Sequence, residues 1–234
     1  MRRGVEMITR DDVRAAVTPL RLVFWGGMLC VFDLTFSSTV NGQGFRFDLL
    51  NDALGMILIT VGVSRLSAVR VSDRYRAAMV FVVVVSVLAT LEAFFDHLVF
   101  PRPAPLSFAV SMFGLVCLAA TVTFCVAMRW FCLEAGMRVP ADSWKLTAWL
   151  FAIIYALPLG LFHAASGFSA LTGRSFNINL GPAALLLLPV FAVPLVHLFV
   201  STSRMRREAE AWRGVAAATE PPGDYMEPPR DLRP

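Results

Sequence analysis

The chain has 234 residues, of which 57% are hydrophobic and 16% are charged, and its mean hydropathy is +0.65. An ordinary soluble domain carries about 25% charged residues, so this composition indicates a membrane protein and excludes the secreted, collagen-like, coiled-coil and disordered classes. The net charge of +4 comes from basic residues spread over the whole chain rather than clustered on one face, and no nucleic-acid partner is predicted.

Apolar windows long enough to cross a hydrocarbon core of ~30 Å predict an all-α, polytopic membrane bundle of six transmembrane helices. In chain order the windows are 20–36, 49–66, 77–100, 106–128, 144–171 and 180–200. The expected organisation is a cytoplasmic segment at 1–19 with a short surface helix, a transmembrane domain at 20–200 and a cytoplasmic tail at 201–234. Proline is frequent near the end of the tail, which is therefore expected to be disordered.

Basic residues are distributed unequally between the two sides of this arrangement. Eighteen of the 21 Lys and Arg residues fall beside the two termini and in the second and fourth loops. The remaining three, Arg46, Arg102 and Arg174, fall on the opposite side. Because cytoplasmic loops are enriched in Lys and Arg, both termini are predicted to be cytoplasmic, and the expected location is the inner (plasma) membrane of a bacterial cell.

The second predicted span carries acids and glycines on one face. At helical spacing Asp48, Asp52, Gly55, Ile59 and Gly62 form one stripe, which is expected to point into the bundle because small residues allow helices to approach closely. Over about 20 of the 234 residues, this D-x-x-G-x-x-L-I-x-x-G run resembles small uncharacterised bacterial multi-pass membrane proteins. The resemblance implies no activity.

Titratable side chains inside the predicted spans are candidate functional residues, because a charge at a helix centre costs about 2.5 to 3.5 kcal/mol on insertion scales. The candidates are Asp33, Asp52, Glu92, Asp96 and His163. All except Asp96 fall roughly 5 to 8 Å outward of the centre of their span, and Asp96 lies one turn beyond Glu92 on the same face. This common depth predicts one shared pocket, open to the extracytoplasmic side.

The predicted pocket is acidic. The outer half of the protein holds five acidic residues, Asp33, Asp48, Asp52, Glu92 and Asp96, and three arginines. Either Glu92 is kept neutral by desolvation, or a proton, a cation or a cationic solute supplies the missing charge. The predicted function is therefore the binding or transport of a small solute or cation. In a competing interpretation the carboxylates accept hydrogen bonds from Asn51, Thr90 or Arg46 and only hold helices together.

Two further functions remain open from the sequence. A lipid-modifying or hydrolytic membrane enzyme would use Glu92 and His163. A structural subunit of a membrane complex, or a homo-oligomer, would pack through Gly55 and Gly62. Glu92, Asp96 and His163, with Asp33 or Asp52, are of types that can ligate a metal. No metal site is predicted, because the four cysteines lack paired spacing and the three histidines lie on three separate spans, and the sequence does not identify a cofactor.

Proline and charge predict two further structural features. Pro158 in the fifth span and Pro182, Pro189 and Pro194 in the sixth weaken helical hydrogen bonding, and such helices often lie beside cavities. The fourth span, Leu106 to Met128, contains no charged residue and is expected to be the most lipid-exposed helix.

Overall fold

The computed structural model describes residues 8, 10–31, 35–40, 43–48, 52–98, 104–172 and 183–219. These residues form seven α-helices, one π-helical turn and two strands. In chain order the elements are α1 (Arg10–Val31), β1 (Thr35–Val40), β2 (Gln43–Asp48), α2 (Asp52–Ser67), α3 (Asp73–Leu98), α4 (Ala104–Glu134), α5 (Arg138–Phe151), the π turn (Ala152–Ala156), α6 (Leu157–Thr172) and α7 (Ala183–Thr219). Because α5, the π turn and α6 are continuous, the described helices make six rods.

The rods form a ring. Each of α1 to α4 packs against the next helix in sequence, α5 packs against α7, and α7 closes the ring on α1. Helix α6 continues beyond the π turn, which is its principal packing partner. The helical character predicted from the apolar windows is confirmed, and the six windows overlap the six rods.

A β-hairpin joins α1 to α2 and is an addition to the predicted helices. Strands β1 and β2 are antiparallel, with Thr35 opposite Asp48 and Val40 opposite Gln43. The sequence between them is Asn41-Gly42, a dipeptide typical of two-residue hairpin loops. Hydropathy windows do not detect this signal, because they register apolar length and not turn chemistry.

The tightest packing lies at one end of the bundle, here called the core end, where α2 and α4 finish and α3 and α5 begin. Its largest fully buried side chains include Tyr75, Phe131 and Trp144. The Tyr75 hydroxyl donates a hydrogen bond of 2.8 Å to the carbonyl of Leu66, which ties the last turn of α2 to α3. Helix α7 reaches the same cluster through Met205. The opposite end, which holds the hairpin and α6, is called the open end.

A tight turn at the core end sets the antiparallel arrangement of α4 and α5. Gly136 has a φ of +74°, a conformation that glycine adopts without steric cost. The amide of Met137 donates to the carbonyl of Cys132 (2.8 Å) and that of Gly136 to Leu133 (3.1 Å). These bonds satisfy carbonyls at the end of α4 and reverse the chain within three residues.

Glycines bring α1 and α2 into direct backbone contact. A Cβ atom built on Gly26 would lie 2.5 Å from the carbonyl oxygen of Gly55, and one built on Gly62 would lie 2.7 Å from the carbonyl oxygen of Pro19. Both distances are shorter than any van der Waals contact. The prediction that the glycine stripe of the second span points into the bundle is confirmed, and the helix it faces is α1.

The outer surface of the bundle is that of a membrane protein. Four of the described helices are long and apolar enough to cross a membrane, over Asp11–Cys30, Asp73–Phe95, Phe108–Glu134 and Arg138–Ala165. Large apolar side chains are exposed along them, as on α3 at Val80, Val84, Leu88, Leu91 and Phe95. Soluble monomers rarely expose contiguous apolar patches of this kind, so these faces are suited to lipid contact.

The expectation that the uncharged fourth span is the most lipid-exposed helix is wrong. In the most apolar stretch of Phe108–Glu134, 17% of the residues are buried, against 11% in Arg138–Ala165. The second half of α4 places Phe124, Met128 and Phe131 in the core cluster. The absence of charge allows contact with lipid and with protein equally, so it does not distinguish them.

Candidate functional site

The structure places the five predicted site residues on three helices and in one segment that it does not describe. Asp33 lies outside the described residues, and of Asp96 only the helical backbone in α3 is described. Asp52 is the first residue of α2, Glu92 lies on α3 and His163 lies on α6.

Glu92 is half-buried on α3. Ala89 and Ala93 beside it are buried, whereas Leu88 and Phe95, one turn before and after it, are exposed. The carboxylate lies within electrostatic range of the Cys117 thiol on α4. The prediction that the third span turns its Glu92 and Asp96 face into the bundle stays a prediction, because the Asp96 side chain lies outside the described residues.

Thr90 has a different role from the one considered in the competing interpretation. Its hydroxyl donates to the carbonyl of Ser86 (2.8 Å) in the preceding turn of α3. The hydroxyl of Thr60 on α2 lies 2.9 Å away and is therefore the donor of the bond between the two threonines. The Thr90 proton is thus used within α3, and the Thr60–Thr90 pair joins α2 to α3.

His163 joins α6 to α4. A backbone carbonyl can only accept, so the contact of 2.8 Å between Nδ1 and the carbonyl of Leu159 means that Nδ1 carries a proton. In the neutral ring Nε2 then accepts a hydrogen bond from the Ser111 hydroxyl, 2.7 Å away. The bond to Leu159 thus fixes the tautomer that leaves Nε2 available to Ser111.

Helix register separates the predicted residues into two levels. Helices α2 and α3 are antiparallel, and Thr60 of α2 lies beside Thr90 of α3. Asp52, eight residues before Thr60, is therefore level with Leu98, eight residues after Thr90. At 1.5 Å per residue, this level is about 9 Å from Glu92 along the helix axis.

On α4 the His163 partner Ser111 lies six residues, about 9 Å along the axis, from Cys117, whose thiol is within electrostatic range of Glu92. Asp52 is therefore nearer the open end than Glu92. Among the described residues, no group of three or more His, Cys, Asp and Glu side chains is placed to hold a metal ion. The shared five-residue pocket stays a prediction, because Asp33 and the Asp96 side chain are part of it.

A cavity of about 560 Å³, here called the lateral groove, lies between α4, the rod of the π turn and α6, and α7. Its lining is mainly apolar and comprises Gly114, Cys117, Leu118, Thr121, Ile154, Tyr155, Pro158, Leu159, Phe162 and Phe191. Exposed apolar side chains on α6, among them Leu157 and Leu161, continue from it. The groove therefore opens sideways, on the surface suited to lipid.

Pro158 explains why a groove forms here. Proline has no amide proton to donate to the carbonyl of Ile154, and its ring crowds that carbonyl. The preceding residues widen into the π turn, in which the amide of Leu157 donates to the carbonyl of Ala152, five residues earlier. The wider turn places Ile154 and Tyr155 in the groove wall. The prediction of a cavity beside the prolines is confirmed at Pro158.

Tyr155 connects the two walls of the lateral groove. Its ring stacks on Phe151 and contacts Phe191 of α7, each with a centroid distance of 5.6 Å, and its hydroxyl donates to the Phe191 carbonyl. Thr121 donates to the carbonyl of Cys117 in its own helix, at 3.0 Å. Both hydroxyl protons are thus directed at backbone, which leaves the middle of the groove apolar.

The groove has one polar end. Ser111 lies one turn beyond Gly114, and His163 lies one turn beyond Leu159, so their hydrogen-bonded pair is at the rim nearest the open end. Sequence reasoning identified His163 but missed its partner Ser111 and the groove residue Tyr155. The available signal was Pro158, which marks a break in a helix whose preceding turn carries Tyr155.

A second hydrogen-bonded cluster joins α5 to α7. The Thr147 hydroxyl lies 2.8 Å from that of Ser201 and 2.9 Å from Nδ1 of His197, and the hydroxyls of Ser143 and Ser201 are 2.8 Å apart. The three hydroxyl residues are buried. Every member bonds to another, so the cluster holds the two helices together.

The glycines proposed for a structural subunit are already used within the chain. Gly55 and Gly62 are buried against α1, and a Cβ on either would meet atoms of that helix at 2.6–2.7 Å. The surface through which a partner protein was expected to pack is therefore covered by the first helix.

Comparisons with protein-family models, with curated proteins and with solved structures find no match to this chain. The resemblance of the second span to small bacterial multi-pass proteins accordingly stays a prediction.

Proposed function

We propose that the protein binds a small amphipathic solute of the bilayer in the lateral groove, with the polar part of the solute at Ser111 and His163. The observation that carries this proposal is the groove itself. Its volume of about 560 Å³ is within the range of roughly 300 to 1,000 Å³ common for small-molecule sites, and such sites are mostly apolar with a few placed polar groups.

The ligand class follows from the arrangement of apolar and polar groups. An acyl or isoprenoid chain matches the apolar wall between Cys117 and Tyr155, and a head group with a hydrogen-bonding oxygen matches the Ser111–His163 pair. Entry from the bilayer is direct, since the groove opens on the lipid-facing surface. Binding or transport of a cation through Glu92 requires the undescribed Asp33 and Asp96 side chains and is secondary to this proposal.

The topology that accompanies this function has six spans, cytoplasmic termini and a location in the inner membrane. The unequal distribution of Lys and Arg supports it. The ring of six rods supports it further, because α2 and α7 pack alongside helices that are themselves long enough to span. In this orientation the core end is cytoplasmic, and the polar end of the groove is extracytoplasmic.

Substituting the groove glycine tests the binding site. A Cβ on Gly114 meets nothing within 4 Å, so Gly114→Phe fills the groove without a backbone clash. Gly160 on α6 is equally unobstructed and does not line the groove, which makes Gly160→Phe the matched control.

The measurement is fluorescence anisotropy of a BODIPY-labelled long-chain fatty acid titrated with detergent-solubilised protein. We expect saturable binding to the wild type and to Gly160→Phe. Gly114→Phe should bind at least about tenfold more weakly, equivalent to about 1.4 kcal/mol. Equal affinities of the two variants would place the probe outside the groove.

A hydrolytic activity is the second candidate, and one observation favours it. The Ser111 hydroxyl is 2.7 Å from Nε2 of His163, whose other nitrogen is held by a carbonyl, which is the relation of a nucleophile to an oriented general base. His163 would accept the Ser111 proton as Oγ attacks an ester carbonyl, and would return it to the departing alcohol. Water would then hydrolyse the acyl-serine and regenerate the hydroxyl.

Turnover of p-nitrophenyl butyrate separates the two candidates. If the pair is catalytic, Ser111→Ala removes esterase activity and labelling by a fluorophosphonate while the fatty-acid probe still binds. If the pair only anchors a head group, turnover of the ester by the wild type does not exceed that of the Gly160→Phe variant after it has been unfolded by heating. In that case Ser111→Ala weakens binding of the fatty-acid probe.

A further inference from the structure

A second cavity, of about 180 Å³, lies between α1 and α7. It is here called the arginine cavity. Its lining residues are Val17, Leu20, Arg21, Phe24, Trp25, Phe199, Thr202, Ser203 and Arg206. Two helices distant in sequence thus contribute one arginine each.

The polar lining is cationic and rich in hydrogen-bond donors. Arg21 makes no hydrogen bond or ion pair with any described residue. Arg206 contacts Glu210 through Nε at 3.5 Å on the exposed surface. Ser203 lies in the same wall, and the hydroxyl of Thr202 donates to the carbonyl of Leu198 (2.9 Å) in its own helix and presents only its oxygen. Two guanidinium groups against one exposed carboxylate leave a net positive charge, which suits a phosphate.

Aromatic rings lie one turn from Arg21 along α1 and two turns from Arg206 along α7. The rings of Phe24 and Phe199 are 4.9 Å apart, and Phe24 contacts Trp25 at 5.3 Å. Trp25 is 58% exposed, so its ring faces outward from the bundle. Along the helices the arginines come first and the aromatic rings follow, and a bilayer has the same order of charged head groups and then acyl chains.

We propose that the arginine cavity binds the phosphate of an anionic phospholipid from the cytoplasmic leaflet. Arg21 and Arg206 lie toward the core end, the end with most of the basic residues, where the inner leaflet supplies anionic lipid. A cavity of 180 Å³ holds a phosphate-sized group and not a whole lipid. The acyl chains therefore run along the exposed rings, and the apolar part of the wall selects a lipid over free phosphate.

A pair of arginine substitutions tests the site. Arg21→Gln with Arg206→Gln removes both charges of the cavity. Arg70→Gln with Arg74→Gln removes two charges from exposed positions at the same end of the bundle, outside the cavity, and is the matched control. Both variants should fold, because the one ion pair that is lost, to Glu210, is on the surface and such pairs contribute little to stability.

Thermal unfolding of the detergent-solubilised protein is followed during titration with phosphatidylglycerol, phosphatidylcholine or inorganic phosphate. We expect phosphatidylglycerol to raise the Tm of the wild type and of the control more than phosphatidylcholine does. The cavity variant should need about tenfold more phosphatidylglycerol for the same shift. Arg21→Gln alone should show an intermediate loss.

Two results would overturn the proposal. Equal responses of the cavity and control variants to phosphatidylglycerol would mean that lipid binds the basic surface at large. An equal shift from inorganic phosphate at matched concentration would mean that the cavity takes a free anion and that its aromatic wall has no part in binding. If the double variant unfolds in detergent, the same comparison is made with Arg21→Gln and Arg70→Gln.

Discussion

Glu92 is a half-buried carboxylate on a helix that is apolar enough to cross a membrane. Replacement by glutamine retains the shape and hydrogen-bonding capacity of the side chain and removes its charge. If Glu92 carries a proton or a cation, Glu92→Gln keeps the fold and abolishes any dependence of thermal stability on Na⁺ or K⁺ concentration. Glu134→Gln, at the exposed end of α4, is the control. If the thermal stability of wild type and of Glu92→Gln depends on cation concentration in the same way, Glu92 has only a structural role.

Glu208 gives a pH dependence whose sign is fixed by burial. On the part of α7 beyond residue 200, burial raises the pKa of the Glu208 carboxyl above its ordinary value of 4.5. The folded protein therefore binds the proton more tightly than the unfolded chain does. The stability that this provides is complete below pH 4.5 and is lost as the pH rises through the higher folded value.

Replacing Glu208 by glutamine should remove this loss. We expect Glu208→Gln to have a smaller fall in Tm than the wild type when the pH is raised from about 4.5 toward neutrality. Glu210→Gln, an exposed neighbour on the same helix, should follow the wild type. A steeper fall for Glu208→Gln would mean that the charged form is the stabilising one.

The position of Glu92 inside a membrane-length helix could be predicted from the sequence, because the apolar window 77–100 encloses it. The Ser111–His163 bond could not. It depends on the register between α4 and α6, which is set by the π turn before Pro158 and not by the spacing of apolar residues.

The close contact between α1 and α2 depends on single glycines. Substitutions at the adjacent positions Gly26 and Gly27 of α1 distinguish an effect on packing from an effect on helix propensity. A Cβ on Gly26 would lie 2.5 Å from the carbonyl oxygen of Gly55, whereas one on Gly27 would meet nothing within 4 Å. Gly26→Ala should therefore destabilise by about 1 to 3 kcal/mol, since α2 must move away. Gly27→Ala should be neutral or stabilise by up to about 1 kcal/mol.

Chemical denaturation in detergent measures both variants against the wild type. The prediction requires that the variants move in opposite directions or that only Gly26→Ala loses stability. A similar loss for both would mean that glycine is needed in α1 for its flexibility and not for close approach to α2.

The six apolar windows indicate six helices because lipid imposes a minimum apolar length on each. Their ends are less well predicted, since α4 and α7 extend beyond the windows by packing on the core end through side chains such as Phe131 and Met205. The closing contact of α7 on α1 and the lateral groove also escape the sequence. Both depend on which helices pack against each other, and the hydropathy of a segment does not determine its neighbours.

The asymmetry of the whole molecule, with a packed core end and an open end, makes its orientation in the membrane testable. Reporter fusions within residues 71–76 and after residue 200 should report the cytoplasm, because these positions are at the core end with most of the basic residues. Fusions near Gln43, Pro103 and Gly173 should report the opposite side.

Helix α2 is the critical element of this test. Its 16 residues span about 24 Å, less than the ~30 Å hydrocarbon core, so that crossing requires local thinning of the bilayer or the flanking hairpin to complete the span. Its glycine contact with α1 runs from Gly26 and Gly55 to Pro19 and Gly62 and keeps the two helices side by side over about 10 Å of that length. We therefore expect α2 to cross wherever α1 does. Fusions at Gln43 and at residues 71–76 that reported the same compartment would mean that α2 does not cross, and the number of spans would then be odd.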